Sequence, residues 1–298
     1  MTMPRPAAGR PRSQSLWADA WRRLRRNRMA LACGAIFLAV CLFSLAGPLV
    51  AGWVAGLDGL AQDTRLGATA PSWHHWMGTD QLGRDMLVRT MDGGGIAILV
   101  GLTATMVALV IGVSWGAVAG YAGGRLDELM MRIVDILYAF PTVVFVIVIM
   151  AVFRTRSLVV LFALIGAIQW LTMARIVRGQ VLSLRHREFV EAARCVGAST
   201  PRILFRHIVP NCLGPIIVYA TLSIPVVMLT EAFLSFLGLG VRAPHASWGT
   251  LVNEGAQLVA IYPWILLGPG LAMSLTIFAL NFLGDGLRDA FDPQLRAD

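Results

Sequence analysis

A short segment at 187–197 carries the most regular arrangement of charged and small apolar side chains in the sequence. Helical spacing places Glu191 within reach of Arg187 and Arg194, and Glu188 falls in the same first turn. The apolar side chains recur at i, i+3, i+4 and i+7, which predicts one stripe along a helix: Phe189, Ala192, Ala193 and Val196. Charges in this pattern orient a binding partner, so the expected chemistry is recognition rather than catalysis.

The residues after this helix predict a turn and a second short helix. Gly197 is placed to end the first helix in a left-handed cap. Thr200 and Pro201 fit the N-cap and first position of the second helix, and Pro210 is expected to end it. The segment 188–210 is therefore predicted to form a compact knob whose small alanines admit a close partner. An amphipathic loop lying on the inner lipid leaflet fits the same spacing.

Residues for nucleotide hydrolysis and for metal catalysis are missing from the sequence. All 25 basic residues are arginine, so the lysine of a phosphate-binding P-loop is absent. There is no HExxH, and no histidine lies within a predicted span, which disfavours a membrane-embedded enzyme. Adjacent His74 and His75 do not face one metal site on a helix, and the four cysteines lack ligand spacing. We therefore expect no enzymatic activity, cofactor or metal in this chain.

Two carboxylates lie inside apolar runs, where ionisable groups are functional candidates. Asp135 follows Arg132 at i+3 and is expected to pair with it. Glu231 is a candidate for a substrate path, because a solute with an amino group would seek a carboxylate. The same side chain fits a structural hydrogen bond to a neighbouring helix of a partner subunit, which is the preferred interpretation.

The elements that must position these residues are membrane spans. The 298 residues are 57% apolar and only 14% charged, which is more apolar surface than one soluble core can bury. Six apolar runs are long enough to cross a bilayer, at 29–54, 96–119, 133–153, 158–176, 213–237 and 261–283. The net charge of +8 lies between these runs, so it indicates membrane topology rather than nucleic-acid binding.

The distribution of arginine predicts the orientation. With the N-terminus inside, 19 arginines fall on inner segments and 6 on outer ones, which supports cytoplasmic N- and C-termini. Three glycines at 93–95 weaken helix formation and leave the start of the second span uncertain. The predicted organisation is an inner tail, a first span, an outer loop, a five-helix core that contains an inner loop at 177–211, and a second inner tail: 1–28, 29–54, 55–95, 96–284 and 285–298.

The sequence Glu191-Ala192-Ala193, followed by Gly197 and by Ile208-Val209-Pro210, resembles the EAA motif of ABC importer permeases. The resemblance implies that this loop is the coupling helix that seats in a cleft of a nucleotide-binding subunit. It assigns docking to Glu188, Glu191, Ala192, Ala193, Arg194 and Gly197. It also implies that a bulky residue at Ala193 or an aspartate at Gly197 abolishes uptake.

Further motifs resemble the dipeptide, oligopeptide and nickel permease C-subunit group. They are G-T-D-x-x-G-R-D at 78–85, Y-A-G-G-R-L-D at 121–127, F-L-G-L-G at 236–240 and G-D-G-L-R-D-A-F-D-P at 284–293. Two more, M-A-R-I-V-R-G-Q at 173–180 and R-H-I-V-P-N at 206–211, are closest to the oligopeptide branch. The resemblance covers about 15–296, and the several motifs in order make it specific. It implies an all-α, six-helix type I ABC importer permease fold in the bacterial cytoplasmic membrane.

The function implied by the resemblance is translocation of peptides, foremost oligopeptides, through an ATP-driven importer. Dipeptides, nickel chelates and other small solutes are alternatives. The implied partners are a homologous second permease, two ATP-binding subunits that hold ATP and Mg²⁺, and an external substrate-binding protein. A secondary transporter is the rival outside this class, but it predicts paired acids near the midplane and inverted repeats, and we recognise neither.

Overall fold

The computed structural model describes residues 16–56, 58–153 and 158–292. Within these ranges the ordered elements are helices, apart from an isolated β-bridge between Thr79 and Asp85. In chain order the α-helices are α1 Leu16–Arg26, α2 Arg28–Ala55, α3 Met86–Ala122, α4 Gly124–Ala139, α5 Thr142–Phe153, α6 Leu158–Leu184, α7 Glu188–Cys195, α8 Thr200–Ile203, α9 Leu213–Phe236, α10 Trp248–Leu258 and α11 Pro263–Phe291.

Helices occupy the positions of the predicted spans. Four helical stretches in the described part of the chain are long and apolar enough to cross a membrane, and the bent pair α4–α5 makes up to five. Helix α6 covers the fourth predicted span. The predicted turn at 154–157 lies outside the described residues, as do 1–15 and 293–298 of the predicted tails. Six crossings and the orientation of the termini stay predictions.

The second predicted span starts earlier than expected, at Met86 instead of 96. The Asp85 carboxylate caps α3 by accepting hydrogen bonds from the backbone N–H groups of Leu87 and Val88 at 2.9 and 3.1 Å. The glycines at 93–95 lie inside the helix because they admit close neighbours. A Cβ at Gly94 would lie 2.5 Å from the Trp248 ring. Tertiary packing therefore outweighs their weak helix propensity.

The third predicted span is broken rather than continuous. Helix α4 ends at Ala139, Phe140 is extended (φ −78°, ψ 131°), and α5 begins at Thr142 at 81° to α4. Pro141 explains the break, because its ring disfavours helical backbone in the residue before it and its nitrogen cannot donate a hydrogen bond.

The bundle is held at its centre by close packing of α3 on α6. Gly112, Gly116 and Gly120 stand at i, i+4 and i+8 on the contact face of α3. A Cβ at Gly112 would lie 2.6 Å from the Met173 Cβ, and one at Gly120 would lie 2.8 Å from the Arg178 carbonyl oxygen. Small residues at this spacing let membrane helices approach to backbone contact. The glycine spacing is visible in the sequence, but the helix that packs against it is not.

The remaining long helices surround this pair. Helix α11 packs against α1, α2, α9 and α10. Trp248 at the start of α10 is fully buried and donates from Nε1 to the Thr90 carbonyl of α3 at 2.7 Å. We call the end of the bundle that carries α7 the coupling end, and the opposite end, which carries the segment before α3 and α10, the loop end.

Candidate functional site

Helix α7 forms where the sequence predicts it and ends as predicted. Glu188 and Glu191 lie in its first turn, where carboxylates favour the positive end of the helix dipole, and Arg194 lies in its last. Gly197 has φ +76°, the left-handed conformation that stops a helix. The Ala198 N–H closes the cap by donating to the Ala193 carbonyl at 3.0 Å.

The buried face of α7 differs from the predicted stripe. Val190 is fully buried and Ala193 is 7% exposed, and both pack into a cluster with residues of α3, α6 and α9 or its N-terminal extension: Ala117, Met173, Val177, Val181, Ile203, Leu204, Ile208, Cys212 and Ile216. The predicted stripe of Phe189, Ala192, Ala193 and Val196 is therefore divided, because Ala193 is buried with Val190 and the other three residues are exposed. Val190 and Ala193, which are spaced i and i+3, face the bundle and anchor α7 to its own chain.

The face of α7 beside this buried pair is apolar and uncovered. Phe189 is 38% exposed, Val196 is 84% exposed, and Ala192 between them is exposed. These three residues are spaced i, i+3 and i+7, so they lie on one side of the helix. The exposed carboxylates of Glu188 and Glu191 flank them. The candidate docking surface is this apolar strip with an acidic border.

The predicted charge pairs on α7 do not form. Arg194 Nη2 donates to the Tyr121 hydroxyl at 3.4 Å, and its guanidinium lies 5.5 Å from that ring. In the described ranges neither Arg187 nor Arg194 lies within ion-pair distance of Glu191. Arg194 therefore ties the end of α7 to the end of α3, and the carboxylate of Glu191 is left for an external contact.

The segment after α7 continues into α9 without a stop. Ser199, not the predicted Thr200, precedes α8, and its side chain makes no capping hydrogen bond. A π-helical turn over Leu204–Ile208 and a 3₁₀ turn over Val209–Cys212 join α8 to α9. The prediction that Pro210 ends this helix is wrong, because the switch from π to 3₁₀ hydrogen bonding absorbs its missing N–H. Helical backbone therefore runs from Thr200 into α9, and a short turn over 196–199 joins it to α7.

An ion pair stiffens the same end of the bundle. Arg178 of α6 donates from Nε and Nη2 to the two carboxylate oxygens of Asp127 in α4 at 2.6 and 2.7 Å. Asp127 is buried, so this bidentate contact satisfies a carboxylate that would otherwise be costly. Arg185 adds a hydrogen bond to the Gly120 carbonyl at 3.2 Å. Helices α3, α4 and α6 therefore meet α7 as one connected unit.

The two carboxylates of the apolar runs have different surroundings. Asp135 accepts from Arg175 at 2.7 Å, so the predicted pairing with Arg132 is wrong. Asp135 pairs with Arg175 on the neighbouring helix α6 instead of with Arg132 on its own helix α4. Glu231 is 1% exposed and accepts from the hydroxyls of Ser235 and Ser247 at 2.9 and 2.6 Å. These contacts join α9 to the start of α10 within one chain, not across a subunit interface.

The motif at 78–85 builds the rim of the loop end. The Asp80 carboxylate accepts from Arg84 Nε at 2.7 Å and from Arg89 Nη1 at 2.6 Å, and Arg89 also contacts Glu254 of α10. His75 Nδ1 lies 2.8 Å from the Asp85 carboxylate. This network fixes the loop to α3 and α10, which is a structural role for a motif recognised only by resemblance.

The fold of the described residues is shared with a chain of a solved ABC transporter. The inward-facing methionine ABC transporter MetNI has a chain that superposes with TM-score 0.50 at 20% identity, covering 70% of this chain and 96% of that one. Two families match. The one described as binding-protein-dependent transport system inner membrane component matches residues 108–297, and the N-terminal TM domain of oligopeptide transport permease C matches 15–63.

The chain belongs to the family of binding-protein-dependent transport system inner membrane components. It is 45% identical to the oligopeptide transport system permease protein OppC of Bacillus subtilis, over 96% of this chain and 92% of that protein. The OppC protein of Escherichia coli is also 45% identical, over 95% and 93%. The dipeptide transport system permease protein DppC of Bacillus subtilis is 43% identical, over 95% and 88%. The chain is therefore a bacterial inner membrane transport permease that works with other components of an ABC transporter.

Proposed function

We propose that this chain is a pore subunit of an ATP-driven importer of peptides, with oligopeptides as the main substrates. The support is its 45% identity over nearly its full length to permeases named for oligopeptide transport. The similarity to DppC keeps dipeptides as the second candidate. The chain itself is no enzyme in this proposal. It has no lysine for a P-loop, so ATP and Mg²⁺ bind to separate subunits.

The proposed assembly contains a homologous second permease, two ATP-binding subunits and an external substrate-binding protein. The chain crosses the cytoplasmic membrane six times with both termini in the cytoplasm, so the coupling end faces the ATP-binding subunits and the loop end faces the binding protein. Arginine bias supports this orientation.

The observation that carries the proposal is the uncovered strip of α7, formed by Phe189, Ala192 and Val196. An exposed apolar strip next to well-packed residues marks a contact surface. Its border of carboxylates, Glu188 and Glu191, favours a protein over the inner leaflet, because anionic lipids repel negative charge and attract arginine. We assign docking of an ATP-binding subunit to these five residues.

The packing supports a route from this surface into the bundle. Val190 and Ala193 hold α7 in the cluster shared with α6, and Ile208 and Cys212 place the segment before α9 in the same cluster. A displacement of α7 by a closing pair of ATP-binding subunits therefore moves α6 and α9 together. The ATP-binding subunits can shift the permease between two conformational states only if their affinity for the two states differs.

The test is a charge placed on the strip. We expect Val196→Glu to weaken docking by about 3 kcal/mol, on the order of a hundredfold, because docking would bury an unpaired carboxylate. Val196 is 84% exposed, so the fold should tolerate the change. The readouts are co-purification of ATP-binding subunits with the tagged chain and peptide uptake into proteoliposomes. Val259→Glu, at an exposed valine of the loop end, is the matched control.

Normal co-purification and uptake by Val196→Glu would refute the docking assignment. The substrate is tested separately in a strain lacking the transporter genes, with labelled peptides of two to five residues and a nickel chelate. Uptake of the longer peptides is the expected result, and uptake of the chelate alone would refute the peptide proposal.

A further inference from the structure

The break between α4 and α5 lies in a segment that would cross the membrane. Ala139 ends one helix and Thr142 begins the next, and the helical backbone is interrupted at Phe140, whose N–H donates only to the Leu137 carbonyl at 3.4 Å. Lipid cannot satisfy backbone groups released by such a break. Irregular backbone at membrane depth persists only where protein covers it or where it lines a water-filled cavity. The face at the break is therefore not a lipid-facing surface.

Exposed polar side chains lie on the same side of the molecule. Asp135 and Arg175 form their 2.7 Å pair with side-chain exposures of 64% and 40%. Tyr138 is 51% exposed, lies 4.3 Å beneath the Arg175 guanidinium and has its hydroxyl 3.5 Å from Thr172 Oγ1. Charged groups in spans face a protein interior or a water-filled path, because lipid exposure is costly. The exposed charges and the broken helix therefore both indicate that this side of the molecule does not face lipid.

A cavity of about 240 Å³ joins these features. It lies between the break, the middle of α6 and α9, and its polar lining is uncharged: Tyr138, Thr142, Gln169, Thr172 and Thr230. The amide of Gln169 both donates and accepts, and the hydroxyls do the same. These polar groups can form hydrogen bonds with the N–H and C=O groups of a peptide main chain, and they do not select for particular side chains of the peptide.

We propose that this cavity is the part of the translocation path contributed by this chain, and that Gln169 and Thr172 bind main-chain amide groups of a peptide in transit. The ligand class rests on the proposed function. The Asp135–Arg175 pair borders the cavity on the coupling side, where each charge is neutralised by the other. The second permease covers the open side of the cavity.

The path is tested by thiol labelling of the complete transporter. The four native cysteines of this chain are first replaced by serine, and Gln169→Cys and Thr172→Cys are then introduced singly. A charged, membrane-impermeant methanethiosulfonate reacts with the solvated thiolate. We expect both positions to react about tenfold or more faster than Val110→Cys, an exposed apolar position of α3. Equal or slower reaction at both positions would overturn the path.

The ligand class is tested by Gln169→Leu in the same complex. Loss of one hydrogen bond should raise the peptide concentration for half-maximal uptake about two- to twelvefold. Gln169→Asn should recover part of this loss, because the shorter amide still donates and accepts. Unchanged uptake in Gln169→Leu, with labelling as expected, overturns the amide subsite alone. Absence of peptide uptake by the unmodified complex overturns the proposed function, and labelling then still decides the path.

Discussion

Replacement of Gly112 by alanine should loosen the central contact between α3 and α6. The added methyl would lie 2.6 Å from the Met173 Cβ and 2.8 Å from the Trp170 carbonyl oxygen. Favourable contacts of this kind lie at about 3.5–4.0 Å, so the two helices must part by about 1 Å. Overpacking of this size costs about 1–3 kcal/mol. Because α6 leads into α7, the same shift also displaces the docking surface.

The matched control is Gly179→Ala, since Gly179 lies in α6 and a Cβ there meets nothing within 4 Å. Both variants gain the same helix propensity of about 1 kcal/mol, so their difference isolates the packing cost. We expect the Tm of the detergent-purified chain to be roughly 3–10 °C lower for Gly112→Ala than for Gly179→Ala. The measurement is size-exclusion chromatography after heating. Equal Tm values would refute the inference that close backbone approach holds this pair together.

Substitutions at two further polar contacts test their structural roles. Glu231→Gln keeps an acceptor for Ser235 and Ser247, so uptake and Tm should be retained. Glu231→Leu removes the acceptor of both hydroxyls, although Ser247 still accepts from the Thr250 N–H, and should lower the free energy of unfolding by about 1–3 kcal/mol, measured as a lower Tm. Loss of uptake in a stable Glu231→Gln variant would contradict the structural role. Asp127→Asn should cost about 1–2 kcal/mol, discounted because Arg178 is partly exposed, and the added change Arg178→Gln should restore part of the Tm; no recovery in the double variant would show that the pair is not what stabilises α4 on α6.

Features that depend on neighbouring residues were predictable from the sequence. Apolar runs located the long helices, because a span needs about 20 apolar residues wherever they pack. Gly197 marked the end of α7, because a left-handed residue stops a helix locally. Pro141 interrupts a helix locally, but the angle of 81° between α4 and α5 depends on packing. The small-xxx-small spacing of Gly112 and Gly116 is also a local property, and it predicts close packing against another helix.

Features that depend on distant residues were not predictable. Periodicity placed Phe189, Ala193 and Val196 on one stripe, yet only the cluster around Val190 decides which side of α7 is buried. Asp135 had an arginine at helical spacing, but Arg175 on α6 is the partner that packing brings within 2.7 Å. Propensity is a local free energy of a fraction of a kcal/mol per residue, and tertiary contacts exceed it.

The sequence by itself therefore determined that the chain is a helical membrane permease with a short helical segment exposed to a partner, because hydropathy, caps and motif spacing are local properties. The tertiary structure alone decided which residues of that segment face outward, how it continues through Pro210 into α9, and where a broken helix meets Gln169 and Thr172 to form a cavity with both polar and apolar lining. These outcomes depend on which helices pack together, and residues far apart in the sequence determine that packing.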